Sequence, residues 1–435
     1  MARLRRALRP RHAGAARARS RAPPISAPPH VLGVRDFRLF IGGRFGAGLA
    51  LQMQSVAVGW TLYDFTGDPM VLAYAGLSVF APIALFTLPA GDLADRVDRR
   101  YILGAAHLTL ALGAAVLAAL VAAQTTLLWP YYAVLVLSGT ARAFSGPSVA
   151  SFIPFLVSRA QFPPAVAWSS SANQTATVLG PAIGGLLYLA GAPATFGACL
   201  ALWLAAAASM LAIRARGGVL AERQGTALSR LAEGLAYLRR QRILLGAISL
   251  DLFAVLLGSI TALLPIYARD ILGVGPDGLG ILRSAVAVGA VAMGLALAQL
   301  PTQRQPHAGG ALFGGVALFG LAILVFGVSE SFALSAAALV VMGAADMVSV
   351  FVRSTVVQLA TPDAMRGRVS AVHALFVGAS NELGEFRAGA VAAWLGAVPA
   401  ALAGGAGTLV VVAVWAALFR ELRGVRRLTD VKSGT

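Results

Sequence analysis

Four acids and four bases fall inside apolar runs of this 435-residue sequence: Asp251, Asp346, Glu382 and Glu385 against Arg44, Arg142, Arg283 and Arg387. A charge at the middle of a lipid-spanning helix costs ~2.5–3.5 kcal/mol on insertion scales, so each should face a partner or a wet cavity. Glu382 and Glu385 stand three residues apart, on one helical face, and two carboxylates brought together in a poorly hydrated space cannot both ionise cheaply. A carboxyl that takes a proton from one side and releases it to the other is what a proton-driven carrier needs, with ~2.3 kcal/mol available per proton per 100 mV. The competing reading is structural: Arg142 or Arg387 holds one glutamate permanently ionised, as a clamp between helices. Arg142 can also bind an anionic substrate or set the protonation of a nearby acid. Asp251 and Asp346 can join in proton coupling or latch two bundles through ion pairs. The proton-coupling candidates are therefore Glu382, Glu385, Arg142, Asp251 and Asp346.

Uncharged polar residues also interrupt the runs: Gln52, Gln54, the Ser169–Thr175 stretch with Asn173, and Asn381. Arg44 lies a turn or two inside the end of its run, where it can snorkel to headgroups or face a cavity. Arg44, Gln52, Asn173 and Asn381 are the substrate-cavity candidates, although serines in such helices also bond to their own backbone. Trp60, Phe80, Phe86 and Phe376 either line that cavity or face lipid and neighbouring side chains. His107 and His373 have no partners at metal spacing, and no nucleophile with a base stands out. Neither a metal nor a cofactor is expected.

These side chains must be held by helices in a bilayer. Hydrophobic residues make up 58% of the chain and charged ones 12%, with a mean hydropathy of +0.77, too little charge for a soluble surface. Apolar stretches of spanning length run over 39–63, 70–91, 101–123, 130–150, 166–190 and 192–213, then 243–267, 278–300, 309–329, 332–353, 369–394 and 400–420. The expected fold is an all-α membrane protein of twelve transmembrane helices in two six-helix bundles. Residues 31–213 form the first bundle, 214–242 a charged, partly amphipathic cytoplasmic linker, 243–420 the second bundle and 421–435 a cytoplasmic tail. Residues 1–30, with eight Arg and no acid, predict a disordered basic tail; an organelle-targeting peptide and a nucleic-acid arm are its rivals. No aromatic or structured element accompanies those arginines, so no nucleic-acid partner is expected.

Lys432 is the only lysine, which excludes a Gly-x-x-x-x-Gly-Lys phosphate loop, and the single Cys199 excludes an intramolecular disulfide. Work must then be driven by a gradient or a partner. Alternate loops divide sharply in positive charge: Arg96, Arg99, Arg100, Arg159, the 214–242 linker, Arg304, Arg366, Arg368 and both tails lie on one side, and Arg269 alone on the other. Positive charge stays on the cytoplasmic side, which makes both termini cytoplasmic and the location the cytoplasmic membrane.

The loop after the second run reads Gly91-Asp-Leu93-Ala-Asp95-Arg96-Val-Asp98-Arg99-Arg100. Gly91 can let two helices approach closely, Asp95 can face the positive end of a neighbouring helix, and the arginines can anchor the loop at an anionic leaflet. Such a latch, Gly91, Asp95, Arg96, Arg99 and Arg100, can be made in one conformation and broken in another. The segment resembles the signature loop of the major facilitator superfamily, with Asp98 where Gly is usual. Arg142-Ala-Phe-Ser-Gly146 is similar to its Arg-x-x-x-Gly motif, with Ser145 in place of the frequent Gln. Gly180-Pro181-Ala-Ile-Gly184-Gly185 resembles its antiporter motif, found mainly among exporters. The stretch from Thr361 to Ser370, the segment Gly378–Arg387 and Trp60–Pro69 narrow the likeness to the transmembrane secretion effector branch, which includes the enterobactin exporter.

That resemblance, over residues 33–420, implies a proton antiporter exporting a siderophore, a macrolide or another amphipathic small molecule by alternating access. It implies that the proton gradient is the energy source, that protons, a small molecule and the lipid bilayer are the partners, and that one chain works alone. Proton-coupled uptake is the alternative within transport. A multi-span membrane enzyme would need a polar catalytic cluster, and only scattered charges are present.

Overall fold

The computed structural model describes residues 30–216, 227–299 and 307–425, apart from the side chains of Leu88, Ala94, Asp95, Ala150, Ala227, Arg230, Asp363 and Ala364. The expectations for residues 1–29, for Arg304 and for most of the C-terminal tail lie outside the described residues.

Six long helices come first: α1 (Arg35–Thr66), α2 (Pro69–Arg96), α3 (Arg99–Ala122), α4 (Leu128–Leu156), α5 (Phe162–Tyr188) and α6 (Ala192–Leu211). A short α7 (Ala227–Arg240) precedes α8 (Arg242–Gly258), which continues through a 3-10 turn, a three-residue α9 (Leu264–Ile266) and a π turn to Ile271. Then follow α10 (Pro276–Gln299), α11 (Ala308–Val328), α12 (Phe332–Ala360), α13 (Asp363–Leu395), α14 (Ala397–Leu418) and the single turn α15 (Arg420–Arg423). Several helices outrun the apolar stretches that announced them. The tenth run stops at residue 353, but α12 continues to Ala360 and so encloses Arg353.

Eight of these elements are long and apolar enough to cross a membrane on length and composition alone. The remaining long helices, α1, α4, α5 and α13, carry Arg44, Gln52, Arg142, Ser169, Asn173, Glu382 and Glu385. Their lower hydropathy follows from these polar residues.

Packing within each half follows a repeat. In the first half the main partners are α1 with α5 and α6, α4 with α2 and α3, and α3 with α6. Exchanging α1–α3 for α4–α6 maps this set onto itself. The second half shows the same set, with α8, α10 and α11 exchanging for α12, α13 and α14. Two three-helix repeats in each half are the arrangement expected of secondary carriers. The halves meet along two seams, α5 against α10 and α2 against α13, which the same symmetry interchanges.

The seventh span is broken rather than straight. Gly258 ends α8, and Pro265 lacks the donor that a continuous helix would need. The Arg387 guanidinium donates from Nε to Leu256 O at 3.0 Å and from Nη2 to Ser259 O at 3.3 Å, satisfying carbonyls freed by the break. The linker helix α7 rides on the second half: Leu238 is fully buried, Glu233 pairs with Arg368 at 2.9 Å, and Tyr237 Oη donates to Ala360 O.

Candidate functional site

The end of the molecule where α1 begins and α14 ends is the near end, and the opposite one the far end. At the far end the two halves are closed on each other. Gly185 of α5 and Gly280 of α10 face each other so closely that a Cβ on Gly185 would press on the backbone at Pro276 and Asp277. A Cβ on Gly280 would press on the backbone at Pro181 and Ala182. Ala182 N donates to Ser284 Oγ at 3.1 Å across the same seam. Gly180 and Gly184 turn instead to α1, against Gln52 and Met53. The Gly-Pro-x-x-Gly-Gly stretch is thus a two-sided packing surface, one side within its bundle and one sealing the far end. Arg269 adds a polar tie, donating to Tyr63 O at 2.9 Å and standing 3.6 Å from Asp64, while Tyr63 Oη donates to Asp270.

Beneath this seal, a chamber of about 290 Å³ lies between the halves. Gln52, Gln54, Ser55 and Arg142 line it from the first half, and Arg283, Glu382 and Glu385 from the second. Arg142 Nη2 is 3.9 Å from Glu382 Oε1. Arg283 Nη1 donates to Ser55 Oγ at 2.6 Å and interacts electrostatically with Glu385. Two arginines and two glutamates therefore converge from opposite halves on one small space. The broken seventh span contributes Thr261, Ala262 and Pro265 to the wall.

A second chamber, of about 660 Å³, lies on the near side within the first half. Arg44, Arg142, Ser145, Ser169, Ser170 and Asn173 give it polar walls, and Arg142 borders both chambers. Arg44 donates from Nε to Ser169 O at 3.2 Å, so it faces this chamber and not the headgroups.

Several expectations are corrected. Asn381 is exposed and lines neither chamber, because its α13 position turns it away from the side that carries Glu382. Asp251 does not link the two bundles: it is buried and paired with Arg353 inside the second half, between α8 and α12. Asp346 lies on α12, which packs on α10 and α11 inside the second half, and it lines neither chamber. Arg387 is committed to the carbonyls of Leu256 and Ser259 and is no clamp on a glutamate. Of the four aromatic residues, none lines either chamber; Trp60 and Phe376 pack in or on apolar cores, and Phe86 stacks on Phe144.

The signature loop also differs from its reading. Among the described residues, a Cβ on Gly91 would meet nothing within 4 Å, so no close approach of a described helix depends on it. Arg99 is fully buried, donating to Ser151 Oγ at 2.9 Å over the ring of Phe155, and Arg100 pairs with Asp98 at 2.9 Å and reaches Ile213 O. Both arginines knit the first bundle together and do not anchor the loop at a lipid surface. Asp98, standing where a glycine is usual, caps the start of α3 through Arg100 N. Arg96 is exposed at the end of α2, and the side chain of Asp95 lies outside the described residues.

Two arginines gain weight from the geometry. Arg283 was visible as an intramembrane base, but its place near the far end of its run gave no hint that it reaches Ser55. Arg353 sat on the boundary of an apolar run, and only its distance of seven residues from Asp346, two helical turns on one face, marked it as internal.

A family model described as transmembrane secretion effector matches residues 35–432. Among curated proteins, the chain is 28% identical over 254 residues to macrolide efflux protein A of Streptococcus pyogenes, covering 57% of this chain and 61% of that protein. It is 27% identical over 238 residues to macrolide efflux protein A of Enterococcus faecalis, covering 53% of this chain and 72% of that one. The match thus spans about 61% of the length of the streptococcal relative. Among solved structures, a bacterial homologue of the human lysosomal transporter Spinster superposes with a TM-score of 0.68 at 15% identity, covering 94% of this chain and 100% of the other. A D-xylose–proton symporter gives 0.68 at 13%, covering 93% and 99%.

Proposed function

Because the chain belongs to the transmembrane secretion effector family of the major facilitator superfamily and spans a membrane many times, we propose that it is an efflux transporter that exports a small amphipathic organic molecule in exchange for protons. The near end is then cytoplasmic, in line with the arginine-rich loops, and the membrane is the cytoplasmic one. The relatives' macrolide efflux role favours a drug-like cargo; a siderophore-like cargo and a single working chain are what the sequence resemblance implies. No cofactor enters, the proton gradient being the energy source.

The observation that carries this reading is the ion pair between Arg142 and Glu382 across the two halves, with Glu385 beside it. A proton on Glu382 removes the attraction between halves at their centre. Loss of that proton towards the cytoplasm restores it. Rocking of the halves about the central chamber, with the far-end seal opening as the near end closes, then exchanges protons for cargo.

The test uses everted membrane vesicles with an imposed pH gradient and a panel of macrolides, siderophores and lipophilic ions. Accumulation that an ionophore collapses supports proton-driven export. Silence across a panel that a control exporter handles, or uptake in right-side-out vesicles instead, overturns it.

A further inference from the structure

We propose that the near-side chamber of the first half binds the anionic group of an amphipathic cargo, a carboxylate or sulfonate, on Arg44. This rests on the export reading and names the cargo's chemistry. Among the described residues that line the chamber, the charged ones are Arg44 and Arg142, and no aspartate or glutamate is present. The one hydrogen bond described for the Arg44 guanidinium is Nε to Ser169 O, which leaves its Nη edge without a protein carboxylate. A partly buried guanidinium whose counter-charge the protein does not supply is a site for an anion from solution, and its planar fork suits a two-oxygen acceptor. Ser169, Ser170 and Asn173 lie along the same wall and add neutral donors. Apolar side chains such as Ile153 and Trp203, together with His107, form the rest, as a ligand with one charged end and a largely apolar body requires.

Charge is also divided between the two chambers. Both glutamates line the central one and neither lines the near-side one. The central chamber balances two arginines against two glutamates, whereas the near-side one holds arginines and no acid and so draws an anion, with Arg142 on their common border. Arg142 is partly held by Glu382 at 3.9 Å, whereas Arg44 has no described acidic partner and so is the primary anion anchor.

Dansylglycine, dansylglycinamide and dansylcadaverine share one apolar body and differ in charge: anionic, neutral and cationic. Binding to the full chain in lipid nanodiscs is read from dansyl fluorescence, with no gradient imposed. The expected result is a dansylglycine Kd about tenfold below that of the other two probes. In Arg44→Gln that preference collapses to less than about twofold, and in Arg44→Lys part of it returns, as charge without the fork predicts. Thermal unfolding of both variants confirms that they are folded. Equal affinity for all three probes, or a preference untouched in Arg44→Gln, overturns the proposal. Gradient-driven flux separates this from the export reading. Accumulation of cationic probes alone, without dansylglycine binding, sinks the anion site and leaves export standing; Arg44-dependent binding with no driven flux of any probe does the reverse.

Discussion

Arg142 and Glu382 sit on different halves of the molecule with their charged atoms 3.9 Å apart, and Glu385 lies one turn further along the same helix and lines the same chamber. In the proposed antiport, the acid that takes up the proton is also one that ties the two halves together.

Glu382→Gln and Glu385→Gln should each reduce pH-gradient-driven flux in everted vesicles to background while leaving cargo binding measurable. Arg142→Gln should resemble Glu382→Gln, because either change removes the central pair. Wild-type flux in both glutamine variants would remove the glutamates from the coupling mechanism.

Asp251 and Arg353 form a different kind of pair, buried inside one half and lining neither chamber. Asp251→Asn leaves a buried guanidinium uncompensated and should lower stability by ~3–5 kcal/mol. Much of that loss should return in Asp251→Leu combined with Arg353→Met. Thermal unfolding in detergent gives the stabilities, and flux per folded molecule should stay near wild type. A folded Asp251→Asn protein with no flux would return Asp251 to the proton path.

At the far-end seal, Gly185→Val has no room beside the backbone of Pro276, whereas Gly91→Ala meets nothing within 4 Å among the described residues. With Cys199→Ala and a reporter at Ala75→Cys in the central chamber, Gly185→Val should increase labelling by an impermeant maleimide added from the far side. Gly91→Ala should leave labelling and flux unchanged and raise helix stability by up to about 1 kcal/mol. Equal labelling in Gly185→Val and the parent would mean that this seam does not govern access.

Arg387 holds the break of the seventh span by two hydrogen bonds to main-chain carbonyls. Its replacement by Met should destabilise the second half by ~1.5–3 kcal/mol, the usual worth of bonds from a charged donor. Hydrogen exchange should report the loss first at residues 256–263. Unchanged exchange there would show that the break supports itself.

The helical frame was legible because lipid leaves apolar runs few alternatives, and the runs marked all twelve long helices of the two bundles even where polar residues thinned them. The partners of the charges were not. Glu382 and Arg142 are 240 residues apart, and nothing local says that α13 and α4 meet; Arg387, five residues beyond Glu382, faces a different neighbour altogether. Arg353 was hidden because hydropathy marks where apolar residues stop, not where the helix stops. The signature loop misled through its glycine. A glycine in a helix marks either a close approach or open space, and beside Gly91 the described residues leave open space.

The position of Arg142 on the border of both chambers limits waste. One guanidinium carries one unit of charge and cannot satisfy Glu382 and a bound anion fully at the same time. In the proposed antiport, a cargo anion that draws Arg142 away and a proton that neutralises Glu382 each release the tie between the halves, whereas in a carrier holding neither the pair stays closed. Idle switching of the empty carrier is then discouraged by the sharing of a single side chain.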